Sequence, residues 1–369
     1  MKNLWLIPLL TAAPVLAQPI VSPDVHADGS ITFRLKAPNA KEVQLRGEAG
    51  DAAMTRDDQG IWSFTTKTLD PDIYVYSFNV DGLHRIDPAN SFIKYNLLNI
   101  DSQALVPGPK SLPWEINDVP HGTLHRHFYH SSIGGDDRDF IVYTPPGYDA
   151  RAKARYPVLY LLHGYSDDTT AWTEVGRANV ILDNLIARGQ ARPMIVVMPL
   201  GYGTMDIVKT GWSSIHNHEL WQRNVDQFGD ALRGEVMPQV ERLYTLSPDR
   251  ELHAIAGLSM GGTESLAVGL NHLDYFAWIG AFSSGGLNTN FAKQYPRLDA
   301  KVNSQIRLLW IGCGREDGLI GSNLQLCDWL KSQDVHYTWV ESAGAHSFRV
   351  WRRYLAEFAP LLFQGKSAR

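Results

Sequence analysis

The sequence predicts a three-layer α/β domain, helices on both faces of a mostly parallel sheet, preceded by a small all-β domain. Three observations carry that prediction. From about residue 119 onward, an antiparallel opening pair leads into six near-continuous apolar strand candidates alternating with helical stretches, the pattern of strands covered on both faces. Before residue 105 the runs are short and alternate apolar with polar residues, as half-buried strands do. Between the two kinds of element, "AIAGLSMGGTES" (254–265) sets Ser259 among glycines where an apolar run stops and a helical run begins.

Taken in order, the first stretch is "MKNLWLIPLLTAAPVLAQPI". Lys2, the apolar Leu4 to Leu10, and the small residues Val15 and Ala17 read as a secretory signal over 1–17, cut near Gln18. Pro8 and Pro14 oppose a continuous buried helix there. A secreted or periplasmic protein is therefore expected. No Cys follows the cut to take a lipid anchor, and no later apolar run is long enough to span a bilayer.

Residues 18–105 read as a β-sandwich. "ITFRLKAP" aligns Ile31, Phe33 and Leu35 on one face, and "DIYVYSFNVDG" aligns Tyr74, Tyr76, Phe78 and Val80. "EVQLRG" and "GIWSFTT" supply further short strands between Gly- and Asp-containing turns. The Pro-bearing stretch over 106–118 reads as a linker draped over the surface.

The α/β domain is expected over 119–365. "RHFYHSS" and "RDFIVYTPP" form an antiparallel opening pair, followed by "PVLYLLHG", "MIVVMPL", "LHAIAG", "FAWIGAFSS", "IRLLWIGCG" and "HYTWVESAG". Val225, Phe228, Leu232, Val236, Val240 and Leu243 recur at helical spacing between the fourth and fifth of these runs.

Bulk properties narrow the function. A length of 369 residues favours two domains. A net charge of −5 offers no basic face for nucleic acid. Cys313 and Cys327 are the two cysteines; an exported chain allows them a disulfide, and two buried thiols are the alternative.

In a sheet of this kind reactive groups belong at the C-terminal strand ends. Ser259 follows "LHAIAG", flanked by Gly257 and Gly261, which matches a nucleophile elbow, G-x-S-x-G, in its strand–turn–helix context. A serine needs a base, and His346 follows the last strand in "SAGAHSFRVW". The base needs a carboxylate to orient it. Asp317 in "GCGREDGLI" is preferred to its neighbour Glu316, because the chain order Ser, Asp, His is the one such folds use.

Two N–H donors should hold the oxyanion: that of Met260, after the serine, and that of Tyr165 or of Gly164 in "LLHGYSDDTTAW". His163 is expected to shape that turn. His121, His125, His127 and His130 in "HGTLHRHFYH" lack an interleaved Cys, Asp or Glu and are read as a solvated linker segment, not a metal site. No metal and no cofactor is expected.

These segments, with "NVILDNLIARGQARPMIVVMP" and "GAHSFRVWRRYLAEFAPLLF", resemble carbohydrate esterase family 1, which contains feruloyl and acetyl xylan esterases. The resemblance runs from about Val119 to Phe363 and implies an α/β-hydrolase fold with Ser259, Asp317 and His346 as its triad. "GSITFRLKAPNAKEVQL", "GIWSFTT" and "YVYSFNVDGLHRIDPAN" resemble early-set, immunoglobulin-like modules related to carbohydrate-binding module family 48. Many family members carry Trp just after the catalytic His; here Phe348 holds that place, with Trp351 following.

The implied substrate is a ferulate or acetate ester on plant cell-wall polysaccharide or its oligosaccharides. Trp172, Trp212, Trp221 and Trp351 are candidate contacts, and the first domain is expected either to grip glycan or to brace the esterase and wall its cleft. Turnover should rise with pH as the imidazole base loses its proton. Other readings are a siderophore esterase, an acyltransferase of the same fold, and a glycan-binding protein without activity.

Overall fold

The computed structural model describes residues 19–151, 153 and 155–364. The signal expected over 1–17 lies outside the described residues.

Two antiparallel sheets occupy residues 24–106. Asp24–Val25, Ile31–Lys36, Ile61–Thr65 and Thr55–Arg56 make one; the other is built around Asp72–Val80. The alternation in the sequence sends Ile31, Phe33 and Leu35 from one sheet, and Tyr74, Tyr76 and Phe78 from the other, into a shared core. The rings of Phe33 and Tyr76 meet there at 4.4 Å.

Each of the eight later strand candidates forms a strand of one sheet. They are β1 (Thr123–Ser131), β2 (Asp136–Thr144), β3 (Val158–Leu162), β4 (Ile195–Pro199), β5 (His253–Leu258), β6 (Trp278–Phe282), β7 (Leu308–Gly314) and β8 (Thr338–Ser342). The spatial order is β1-β2-β4-β3-β5-β6-β7-β8. β2 is antiparallel to both neighbours, and from β4 to β8 every pairing is parallel.

Five long helices cover the sheet: α1 (Ala178–Ala187), α2 (His218–Ala231), α3 (Met260–Asn271), α4 (Ile320–Ser332) and α5 (Phe348–Phe358). Strand parity divides the core into two layers. Leu159 and Leu161 face α1 and α5, while Val158, Tyr160 and Leu162 face α2, α3 and α4. Beyond α2 a π-turn over Leu232–Val236 leads into the helix Met237–Leu243. The extra residue in that turn keeps the 4-residue spacing of Phe228, Leu232, Val236 and Val240 on the buried face, while Leu243, the helix's last residue, is 48% exposed.

Three expectations need correction or completion. The segment 106–118 is fastened, not merely draped: Trp114 is buried, and the Asn184 side chain donates to the carbonyls of Pro113 and Glu115. The histidine run is no linker. His125, His127 and His130 lie on β1, where each has a partner across the chain: Thr144, Tyr244 and Asp137. His121 pairs with Asp183 at 2.9 Å. Cys313 and Cys327 are buried free thiols, and burial pushes both up to about 12.

The first domain is joined to α5 by a buried charge cluster. Asp72, fully buried, accepts from Arg352 at 2.6 Å and Arg353 at 2.7 Å, with Arg349 at 3.5 Å. Arg352 is itself buried and donates onward to the carbonyls of Val175 and Ile73. Burial alone would raise the Asp72 pKa; the guanidiniums outweigh it and hold it below the usual carboxylate range. A depressed pKa stabilises the fold above the ordinary carboxylate range, and that contribution is lost as pH falls through the folded value. Asp72→Asn, which leaves Arg352 buried without its counter-charge, should cost about 3–5 kcal/mol in denaturant unfolding at neutral pH. The gap between parent and variant should narrow as the medium is acidified below about pH 4.

Candidate active site

The turn between β5 and α3 is forced by its neighbours. A Cβ on Gly257 would lie 2.4 Å from the Gly261 carbonyl oxygen, and one on Gly261 would lie 2.4 Å from that of His163. Only glycine lets strand and helix approach that closely. Ser259 between them takes φ 52° and ψ −117°, a left-handed conformation that costs a non-glycine residue about 1–3 kcal/mol. Its backbone is held by four bonds: its N–H donates to Phe282 O at 2.8 Å, and its carbonyl accepts from Gly262, Thr263 and Gly285.

Loops after β7 and β8 deliver the other two groups. His346 Nε2 lies 2.9 Å from Ser259 Oγ, and His346 Nδ1 lies 2.8 Å from Asp317 Oδ2. The second oxygen of Asp317 accepts from the Leu319 N–H at 2.9 Å. Burial of Asp317 favours its neutral form, but the His346 hydrogen bond and charge outweigh that and hold its pKa below the ordinary range. Glu316 faces away from this line; it accepts from the Gly344 N–H and so ties down the His346 loop. The indole of Trp351 meets the His346 ring edge-on at 4.8 Å.

Such a line can draw a proton from the serine hydroxyl onto the imidazole while the carboxylate fixes the ring's tautomer. Beside it, the Gly164 backbone runs so close that a Cβ there would lie 3.2 Å from Ser259 Cβ. Among the described residues the amides of Tyr165 and Met260 donate to no carbonyl or side chain, leaving both available to an added oxygen. His163 is buried; its Nε2 accepts from Gly201 N–H and its Nδ1 donates to Gly164 O. Burial lowers its pKa, so it stays neutral and shapes the turn.

The line opens into a cavity of about 390 Å³. Trp212 and Trp351 border it, Trp212 with half its surface exposed. Trp221 is buried behind Tyr165, ring centroids 5.8 Å apart, and supports that side chain without reaching the opening. Trp172 is not a contact. It is 1% exposed, donates its indole N–H to Leu162 O and packs against Phe348 in the core. An aromatic at the end of a loop is indistinguishable in sequence from one that folds back beneath it.

Which residues of the first domain wall the cleft, and a buried acid behind it, went unanticipated. Lys94, Asn96, Asn99 and Asp101 of the first domain line the same cavity; the only sequence trace is a polar, non-alternating stretch, "IKYNLLNID". Glu264, on α3, is fully buried beside Asn224 Nδ2 at 3.3 Å. Burial raises its pKa well above the usual carboxylate range.

Fold and family can now be given. The mixed eight-stranded sheet with its serine elbow is that of an α/β-hydrolase, and the class of protein is a carboxylic ester hydrolase. The chain belongs to the Esterase family, whose model matches residues 131–361. It is 30% identical over 351 residues to an endo-1,4-beta-xylanase/feruloyl esterase of Xylanibacter ruminicola, covering 93% of this chain and 46% of that one. The chain thus spans about half the length of that relative. An acetyl esterase of Caldicellulosiruptor saccharolyticus is 24% identical over 231 residues, 54% of this chain and 80% of the relative.

Among solved structures, a ferulic acid esterase from Anaeromyces mucronatus superposes with a TM-score of 0.60 at 24% identity, covering 69% of this chain and 96% of that one. The enterobactin esterase of Shigella flexneri reaches 0.65 at 19% identity, over 90% and 92%. These two likenesses concern the fold.

The crowding at the elbow gives a direct test. Gly261→Ala should destabilise the fold by about 1–3 kcal/mol and displace Ser259, so a fluorophosphonate should label the serine far more slowly at equal folded concentration.

Proposed function

We propose that this chain is an exported serine esterase that releases hydroxycinnamate, ferulate foremost, from plant cell-wall polysaccharide such as arabinoxylan. The observation that supports it most is the hydrogen-bonded line from Ser259 Oγ through His346 to Asp317. Neutral His346 takes the Ser259 proton as the oxygen attacks the ester carbonyl. The resulting oxyanion accepts from the N–H groups of Met260 and Tyr165, with Gly164 beside them. His346 then gives the proton to the departing sugar oxygen, leaving an acyl-serine. Water repeats the cycle, losing its proton to His346, and frees the acid. No cofactor is needed.

The substrate rests on two supports. The Xylanibacter ruminicola relative bears the name of a xylanase and feruloyl esterase, and the cavity offers the half-exposed Trp212 as a flat apolar surface that suits an aryl acyl group. Acetyl xylan is the second substrate, favoured by the acetyl esterase relative. A catecholate ester is the third, because the enterobactin esterase shares both parts of the architecture.

Ser259→Ala should lower turnover on the order of a millionfold, and Asp317→Asn by about ten-thousandfold. Acid release from feruloylated arabinoxylan, acetyl xylan and a catecholate ester, by parent and Ser259→Ala, checks both chemistry and substrate. Residual hydrolysis by a clean Ser259→Ala preparation at the parental rate would overturn the mechanism; release of acetate alone would transfer the assignment to acetyl xylan.

A further inference from the structure

The first domain reaches the loop that carries Gly164 and Tyr165 through Asn96, the Leu97 amide and Lys94. Asn96 Nδ2 donates to Ser166 Oγ at 2.9 Å and to Asp167 Oδ1 at 3.0 Å. Asn96 Oδ1 is anchored in its own turn, accepting from Leu98 N–H and Asn99 N–H at 3.0 Å each. The adjacent Leu97 N–H donates to Ser166 O at 2.7 Å. Lys94 stands 3.8 Å from the same Asp167 carboxylate.

The loop that receives these bonds is under strain. Ser166 has φ 69°, and it and Asp167 are buried. Inside the α/β domain the loop is held by the Tyr202 hydroxyl, which donates to Asp167 O, and by the Tyr165 hydroxyl, which donates to Ile207 O and Gly211 O. None of these bonds reaches the Ser166 side chain, which faces the first domain. A residue in a sparsely populated conformation persists only where its surroundings over-determine it; here part of that determination comes from more than sixty residues upstream.

We infer that Asn96 is a positioning residue for ester hydrolysis: from the first domain it holds the Gly164–Tyr165 loop so that its amides meet the oxyanion. The inference rests on the serine esterase reading above. It makes the first domain a part of the active site and not a detachable module. Because the oxyanion forms only as the carbonyl is attacked, loosening its donors lowers kcat and leaves ground-state binding of a small ester little changed.

The test is Asn96→Asp. It preserves the acceptor that fixes the 96–99 turn, removes both donations, and sets a carboxylate against Asp167. With p-nitrophenyl acetate, too small to depend on the cavity's far wall, and with rates scaled to Ser259 titrated by a fluorophosphonate, kcat should fall about ten- to a hundredfold. KM should stay within about twofold. The exchanged pair, Asn96→Asp with Asp167→Asn, lets the amide at position 167 donate back across the same gap, and should recover most of the lost kcat.

A parental kcat per titrated serine in Asn96→Asp would overturn the inference, as would an exchanged pair that folds but stays as slow as the single variant. If Asn96→Asp yields no folded protein, the exchanged pair alone decides: folded with near-parental kcat supports the positioning role, and folded with reduced kcat overturns it. Failure of the underlying chemistry would show separately, as activity surviving in Ser259→Ala.

Discussion

The site depends on one strained backbone, that of Ser259 at φ 52° and ψ −117°. Left to itself a serine there would relax, and its hydroxyl would turn away from His346. What prevents it is collective: two glycines without room for a Cβ, a bond to the Phe282 carbonyl, and three amides, those of Gly262, Thr263 and Gly285, on the Ser259 carbonyl. The conformation costs about 1–3 kcal/mol, comparable to two or three of the hydrogen bonds that hold it. Sheet, helix α3 and the β6 loop must therefore all form before the hydroxyl points outward. The chemistry is thus a property of the folded sheet and not of a local motif.

The same dependence extends to the other partners. His346 sits on the short connection between β8 and α5, and α5 is bound through Arg349, Arg352 and Arg353 to Asp72 of the first domain. The Gly164–Tyr165 loop is bound to that domain through Asn96. Two of the elements facing Ser259 thus lean on residues from the β-rich half, from opposite sides of one cavity. A domain that merely tethered the enzyme to a polymer would have no need of a buried carboxylate with three guanidiniums around it. Buried charges of that kind are strongly destabilising when one partner is removed.

How much of this was legible in the sequence follows from which signals are local. The six strands after the opening pair announced themselves as apolar runs, and the ends of β5, β7 and β8 follow from those runs; so the three positions at one rim of the sheet could be named before any coordinates. Asp317 and Glu316 are adjacent and both acidic, and chain order favoured the former; the structure turns one carboxylate to His346 and the other to Gly344. Trp172 shows the opposite case. Whether a loop-end indole enters a cavity or a core depends on where Phe348 and Leu162 lie in space. Asn96 and Asp72 carried no signal, because a polar residue in a β-rich stretch reads as solvent-facing until a partner some seventy to two hundred and eighty residues away is brought against it.

The exposure of the three groups is graded in a way that suits the proposed chemistry. The Asp317 side chain is sealed from solvent, while that of His346 is about a third exposed. A sealed carboxylate in an apolar surround would ordinarily take up a proton; here the Leu319 amide and the His346 ring keep it ionised. Its charge therefore acts on the imidazole in a low dielectric, where it is least screened. The imidazole's own outer edge remains open to the departing alcohol and then to water, both of which must exchange a proton with it. Sealing His346 as well would strengthen the pair and block that exchange; exposing Asp317 would allow exchange and weaken the pair. The observed gradient, closed at the acid and open at the base, meets both demands with one line of hydrogen bonds.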